Sequence, residues 1–322
     1  MMAAVYPERV FDESLVKYAG LNDRVVVLDA DLSNSSKTCM MAAAYPERVF
    51  DVGIAEGNMA AMGAGFARSG FIPFVNTFAT LASSMCALSA KALIGYSGLN
   101  VRIVGSNNGL GGGYDGATHH AIEDINVMRG IPGMLVMSPS DGIMLDWMVK
   151  MLVEDYKGPA YVSIPRNGYE NIYDTGENFK IGKAKQLSEG KDAAIFAAGL
   201  SVYRAGKAVE ILAAQGIRAS LFDMFTIKPL DRETVIRAAG ETGAVVIVEE
   251  HSIIGGLGTA VLEVLAEEKI QAEISRLGIR DCYTESGSYE ELVEIFGLGT
   301  NSIVNEVRSV VSRKEDMGCG RR

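Results

Sequence analysis

Histidine, cysteine and tryptophan are scarce in this 322-residue chain, with three, four and one copies respectively. Three histidines (His119, His120 and His251) leave little for a histidine-rich metal centre. The cysteines, Cys39, Cys86, Cys282 and Cys319, never approach CxxC spacing, so neither a zinc cluster nor a disulfide framework is expected. No run approaches the roughly 18 apolar residues that span a bilayer. The opening MMAAVYPERVFDESL lacks the charged start and apolar stretch of a secretory signal, which points to a reducing cytoplasm. Basic charge is also short, with 30 Lys plus Arg against 40 Asp plus Glu, a formal charge of −10. That balance argues against a nucleic-acid binder. It still allows a local basic pocket for an anionic substrate.

Apolar residues make up 48% of the chain, ample for buried cores. The length suggests two domains. RVVVLDADL (24–32), FIPFVNTF (71–78), LNVRIVGSNN (99–108), GMLVMSP (133–139) and PAYVSIPR (159–166) read as strands. Helices are expected over 57–70, 79–97 and 141–154. Polar, glycine-bearing sequence from 167 to 191 resembles a connection. A second set follows: DAAIFAAG, a helix over 201–215, RASLFDMF, a helix over 231–239, AVVIVEE and a helix over 257–268. Apolar strands alternating with helices imply mostly parallel sheets covered on both faces, hence two consecutive α/β domains. Their bounds are placed at 1–170 and 191–314, with a linker over 171–190 and a tail over 315–322. Ligands are expected at the carboxyl ends of the strands. One oddity is a near-duplicate: MMAAVYPERVFD at 1–12 recurs as MMAAAYPERVFD at 40–51. Two copies of twelve residues are too short for a repeat architecture and suggest a local duplication.

Four segments can carry chemistry. In DVGIAEGNM, Glu56 stands at a turn before a small-residue helix. A carboxyl group in an apolar setting favours its protonated form and can share a proton with a ring nitrogen. By its residues alone the simpler reading is a carboxylate at a helix start. The loop GLGGGYDGATHH (109–120) allows close backbone approach to a ligand. Two adjacent histidines cannot easily face the same way, so at most one is expected in a site. The glycines fit neither a Walker loop nor GxGxxG. Arg166 follows a strand end, where a guanidinium suits a phosphate or carboxylate, or a salt bridge near the linker. DADLSNSSKT (29–38) offers hydroxyls for an oxyanion or for a helix cap. GGLG (255–258) opens a helix and reads as packing more than as an anion site.

In order and spacing, these phrases resemble the carboxyl-terminal half of transketolase, in the form where that enzyme is split into two subunits. They are VVVLDADL, YPERVFDVGIAEGNM, GFIPFVNTFATLAS, VRIVGSNNGLGGGYDGATHHAIEDI, MSPSDG, PAYVSIPR and FDMFTIKPLD with VEEHSIIGGLGTAVLEVL. The β subunits of pyruvate-dehydrogenase-like enzymes and deoxyxylulose-phosphate synthase match less well. The resemblance implies a pyrimidine-binding domain followed by a transketolase C-terminal domain, with thiamine diphosphate as cofactor. The family's metal-holding GDG motif does not occur here. A separate diphosphate-binding subunit is therefore implied, carrying Mg2+ or a similar divalent ion, in an assembly of the α2β2 kind that pairs through the pyrimidine domain. This chain is expected to hold no metal itself.

The same resemblance assigns roles. Glu56 matches the glutamate that activates the cofactor's aminopyrimidine, and Phe78 an aromatic of its pocket, with Leu81 beside it. His119 and Asp115 match residues on the donor's hydroxyls, His119 being also catalytic. Arg166, Ser35 and Arg9 match the phosphate-binding set. Departures are Leu81 and Ser84 where aromatics are frequent, Asn107 where a substrate histidine is frequent, Tyr114 for an acidic residue and Gly57 for glutamine. The activity implied is transfer of a two-carbon ketol unit from a ketose, phosphorylated or otherwise derivatised, to an aldose. The alternatives are a 2-oxo acid dehydrogenase or decarboxylase subunit, and a non-catalytic paralogue.

Overall fold

The computed structural model describes residues 6–36 and 38–319. The first half runs α1 (Pro7–Ala19), β1 (Val25–Asp29), α2 (Cys39–Ala44), β2 (Val49–Asp51), α3 (Glu56–Arg68) and β3 (Ile72–Phe78). It continues with α4 (Ala79–Ser84), α5 (Ala87–Ser89), β4 (Arg102–Ser106), α6 (Asp124–Arg129), β5 (Leu135–Met137), α7 (Gly142–Glu154) and β6 (Ala160–Ser163). The second half begins with β7 (Lys185–Ser188), β8 (Ala193–Ala197), α8 (Ser201–Ala214), β9 (Ala219–Asp223), β10 (Thr226–Lys228) and α9 (Arg232–Thr242). It ends with β11 (Ala244–Ser252), α10 (Leu257–Glu267), β12 (Glu273–Ile279), α11 (Tyr289–Ile295) and α12 (Thr300–Cys319).

One seven-stranded sheet has the order β10-β5-β6-β4-β3-β1-β2, and a five-stranded sheet the order β12-β11-β8-β9-β7. Pairing is parallel except at two edges, β10 on β5 and β7 on β9. The expected α/β class holds, with strands such as VVVLD buried at every position. Helices lie on both faces, which is why these strands can be apolar throughout.

Several segments differ from the sequence reading. Residues 79–97 do not form one helix. The chain breaks after α4 and resumes as α5 and a wider π-type turn over Ala90–Gly95. The break lets the Cys86 thiol donate to the Glu56 carbonyl at 3.2 Å and the Ser89 hydroxyl to the Gly57 carbonyl at 3.0 Å. Within the segment read as a linker, 185–188 form β7, and Tyr173 and Phe179 are buried beside Phe225 and Trp147. Two aromatics six residues apart carry no periodic signal, so a polar stretch concealed a packed one. β10 leaves the second half to complete the edge of the first sheet, an antiparallel pairing that no local pattern announces. The last residues read as a tail extend α12 as far as Cys319.

The two copies of YPERVFD also part ways. At 6–12 the segment starts α1, with Pro7 in the first turn. At 45–51 it makes a single 3-10 turn over Pro46–Arg48 and then β2. Residues 1–5 of the first copy lie outside the described residues.

The two halves are tied by Asp223 at the end of β9. Its carboxylate accepts hydrogen bonds from the Ser140 hydroxyl at 2.5 Å and the Tyr173 hydroxyl at 2.8 Å, while Oδ1 has no partner among the described residues. Burial pushes its pKa from the ordinary 3.8 up to about 7. The folded chain thus keeps a proton that the unfolded chain has already released at pH 5. That stabilisation is complete below pH 4 and is lost as pH rises through about 7. Asp223→Asn is expected to remove this slope. Relative to wild type, the variant should gain roughly 1–4 kcal/mol between pH 5 and pH 8. Denaturant midpoints at the two pH values read this directly, and an unchanged difference refutes it.

Candidate active site

The carboxyl edge of the first sheet carries a cavity of about 500 Å³, a size that suits a small molecule. Arg9, Ser35, Phe78, Asn107, Asp115 and Arg166 line it together. They arrive from the start of α1, the loop after β1, the ends of β3 and β4, the glycine loop and the segment after β6. His119 joins them through its ring, whose centroid is 6.2 Å from that of Phe78, edge to face. Seven of the nine candidate residues therefore converge. Glu56 and Leu81 lie outside the cavity lining. Glu56 opens α3, and Leu81 sits half-buried in α4.

Asp29, fully buried, shapes the loop that delivers Ser35. Its carboxylate accepts from the Leu32 amide at 2.6 Å, the Thr38 hydroxyl at 2.7 Å and the Ser36 hydroxyl at 3.1 Å. Arg166 Nη1 is 3.6 Å from Asp115 Oδ2, and Arg9 Nε is 2.7 Å from Glu13. Both pairs are largely exposed, so each is worth only about 0–1 kcal/mol and yields easily to an anionic ligand. Asn107 adopts a left-handed backbone with φ of 56°. Its buried Oδ1 has no partner among the described residues, and neither do the Asn76 amide and the Thr77 hydroxyl at the end of β3. Buried polar groups are seldom left unpaired, which sets this edge apart from the rest of the sheet.

Glu56 is 4% exposed. Among the described residues no donor reaches its carboxylate. Gly57 packs closely, and a Cβ there would lie 3.2 Å from the Met85 carbonyl, a contact that needs a few tenths of an ångström of give. Ser84 is exposed, and its hydroxyl donates to the Thr80 carbonyl at 2.6 Å. Tyr114 is also exposed.

The paired histidines face apart. His119 Nδ1 is 3.0 Å from the Thr118 hydroxyl. His120 is buried against Thr284 and the Gly113 carbonyl, and burial lowers its pKa. The amides of Leu257 and Gly258 at the start of α10 donate to the Glu249 carboxylate, so GGLG serves packing. Tyr6, Glu8, Asn34 and Asn167 also line the cavity and were not singled out from sequence. Their only signal was adjacency to Arg9, Ser35 and Arg166. Among the described residues, no group of three His, Cys, Asp or Glu side chains could hold a metal ion, and no helix is long and apolar enough to cross a membrane.

Cys86 lies behind Glu56. Burial, with the nearby Glu56 charge, pushes its thiol up to about 12. It is expected to stay unlabelled by a maleimide at pH 8 in the native chain, whereas the exposed Cys282 labels readily. Peptide mapping after brief labelling checks this, and early modification of Cys86 contradicts it.

Comparisons with known proteins identify both halves of the chain. The pyrimidine-binding domain of transketolase matches residues 8–171, and the transketolase C-terminal domain matches residues 182–303. The 6-deoxy-6-sulfo-D-fructose transketolase subunit SqwH of Clostridium sp. is 41% identical over 300 residues, covering 93% of this chain and 92% of its own. A subunit of the apulose-4-phosphate transketolase of Phocaeicola vulgatus is 36% identical, covering 94% and 96%. A solved split-gene transketolase, described as an inactive β4 tetramer, superposes with a TM-score of 0.87 at 38% identity, covering 96% of this chain and 99% of that one. The chain therefore belongs to the transketolase family and carries its pyrimidine-binding and C-terminal domains, in the manner of the subunits of two-component transketolases.

Proposed function

We propose that this chain is the pyrimidine-side subunit of a thiamine-diphosphate-dependent transketolase, acting with a separate diphosphate-binding subunit on an anionic ketose. The observation that carries the reading is Glu56, which opens α3, is buried and has no donor to its carboxylate from the described residues. Those features fit an aminopyrimidine, whose ring nitrogen would supply the missing partner. Thiamine diphosphate, when bound, supplies a nucleophilic carbon that carries the two-carbon ketol unit.

The chain's own residues do the rest. Glu56 holds a proton at the pyrimidine ring nitrogen, and Phe78, with Leu81 nearby, offers the ring an apolar wall. Thr118 occupies one nitrogen of His119, leaving Nε2 for a donor hydroxyl, and Asp115 accepts from another. Asn107 lines the same cavity where the family often has a substrate histidine. Ser35, Arg9 and Arg166 hold the anionic end. The named substrates of the two relatives carry a sulfo or a phosphate group, and two arginines in weak exposed pairs suit either.

The divalent ion belongs to the partner in this reading. Exposed Ile54, Met85, Leu88 and Tyr96 give the first half an apolar surface suited to pairing of pyrimidine domains, as in an α2β2 assembly. The test is reconstitution with a diphosphate-binding subunit, magnesium and thiamine diphosphate, assayed against phosphorylated and sulfonated ketoses with aldose acceptors. Ketol transfer by the mixture is expected. Cofactor binding without transfer from any ketose would sink the reading.

A further inference from the structure

The glycine loop over 109–120 delivers Asp115 and His119, yet much of what holds it comes from the second half of the chain. The Leu110 amide donates to Glu250 Oε1 at 3.0 Å. The other oxygen of Glu250 accepts from Arg204 Nη2 at 2.9 Å and from the Tyr289 hydroxyl at 2.7 Å. Arg204 is itself buried, and its Nη1 donates to the Tyr289 hydroxyl at 2.9 Å. Further along, Thr284 meets His120 at 2.6 Å, the Ser286 hydroxyl donates to the Tyr114 carbonyl at 2.5 Å, and the Ser252 amide donates to the Ile122 carbonyl at 2.7 Å.

Backbone conformation adds an independent observation. Gly109 has φ of +56°, and a Cβ there would lie 2.6 Å from Glu250 Oε1 and 2.7 Å from its Cγ. Only glycine lets the loop approach the carboxylate this closely. A carboxylate only 10% exposed, which takes one donor from the loop and two from its own half, fixes the height of the loop above the sheet. Loss of its charge would leave Arg204 buried without a counter-ion and free the loop to shift. Shifts of about 1 Å at substrate-positioning groups are enough to cost large factors in rate.

We propose that Glu250, braced by Arg204 and Tyr289, is a positioning residue through which the C-terminal domain sets Asp115 and His119 for the donor sugar. This rests on the function proposed above only for the identity of the ligand. The test uses the full chain with its partner subunit. Glu250→Gln is expected to raise donor KM at least tenfold, with apparent thiamine diphosphate affinity within twofold of wild type. Hydrogen exchange of the 109–116 amides should rise at least tenfold, while exchange in β1 and β4 stays as in wild type. Tyr289→Phe keeps the ring and removes one donor, so it should move both readouts the same way by about threefold; it carries the test if Glu250→Gln does not fold. Unchanged loop exchange in the folded variants overturns the proposal. So does a joint loss of cofactor affinity and of protection throughout the chain, which marks a merely structural role. If the wild-type pair transfers no ketol unit, the functional reading fails, and the exchange experiment still decides whether Glu250 holds the loop.

Discussion

Replacing Glu56 with glutamine is expected to cut ketol transfer by the reconstituted pair by about 10²–10⁴-fold, the usual scale for losing a positioned proton-transfer group. Glutamine has the same shape and keeps a carbonyl oxygen, but it cannot hold a proton at a ring nitrogen. The fold should not suffer. The backbone carbonyl of residue 56 still accepts from Cys86, and the helix start is unchanged. The carboxylate has no donor from the described residues, so the substitution forfeits no hydrogen bond and should leave the thermal midpoint about where it was. Activity thus falls while stability holds. That pairing distinguishes a catalytic group from a helix-start carboxylate, whose loss lowers stability and spares turnover. Activity within a factor of three of wild type would remove the proposed mechanism.

Arg166→Leu should raise KM for an anionic ketose by about 10–150-fold. The estimate follows from roughly 1.5–3 kcal/mol for hydrogen bonds to a charged group. An uncharged ketose of the same chain length should lose less than threefold, because it has no anion to forfeit. The Arg166–Asp115 pair is half exposed on both sides, so its loss costs the fold little. Steady-state kinetics with a matched pair of donors reads the effect. Equal losses on both donors would show that Arg166 orders the site generally and does not bind the anionic end.

Much of the site was legible in the sequence, for a local reason. Apolar strands ending in small or polar residues place those residues at one sheet edge, whatever the loops do. DADLSNSS, VNTF, VGSNN and SIPR are each a strand followed by its site residue, and all four meet at the cavity. Arg9, carried by the anomalous first repeat, also reaches it. Glu56 was harder to judge from its residues alone, since a helix cap and a cofactor carboxylate look alike there. What separates them is burial without a donor, which is a property of surrounding chain. Glu250 carried no signal at all. It reads as one acid of VEEHS, and its importance comes from Leu110, about 140 residues away.

The heptapeptide YPERVFD marks the boundary between the two kinds of information. Hydrophobic periodicity and glycine placement were enough to establish two α/β halves and the order of their motifs, because both act within a few residues. The same seven residues nevertheless begin a helix at 6–12 and form a turn and a strand at 45–51. After the first copy, ESLVKYA continues the helical spacing, so that Phe11, Leu15 and Tyr18 are buried on one face. At the second copy, Val49, Phe50 and Asp51 pair with Val27, Leu28 and Asp29 of β1, which would otherwise lack a neighbour on that side. Edge pairing, domain crossing by β10 and the grip of Glu250 on the glycine loop all depend on partners distant in the chain. Local sequence does not encode such partners, and the tertiary structure alone brings them together.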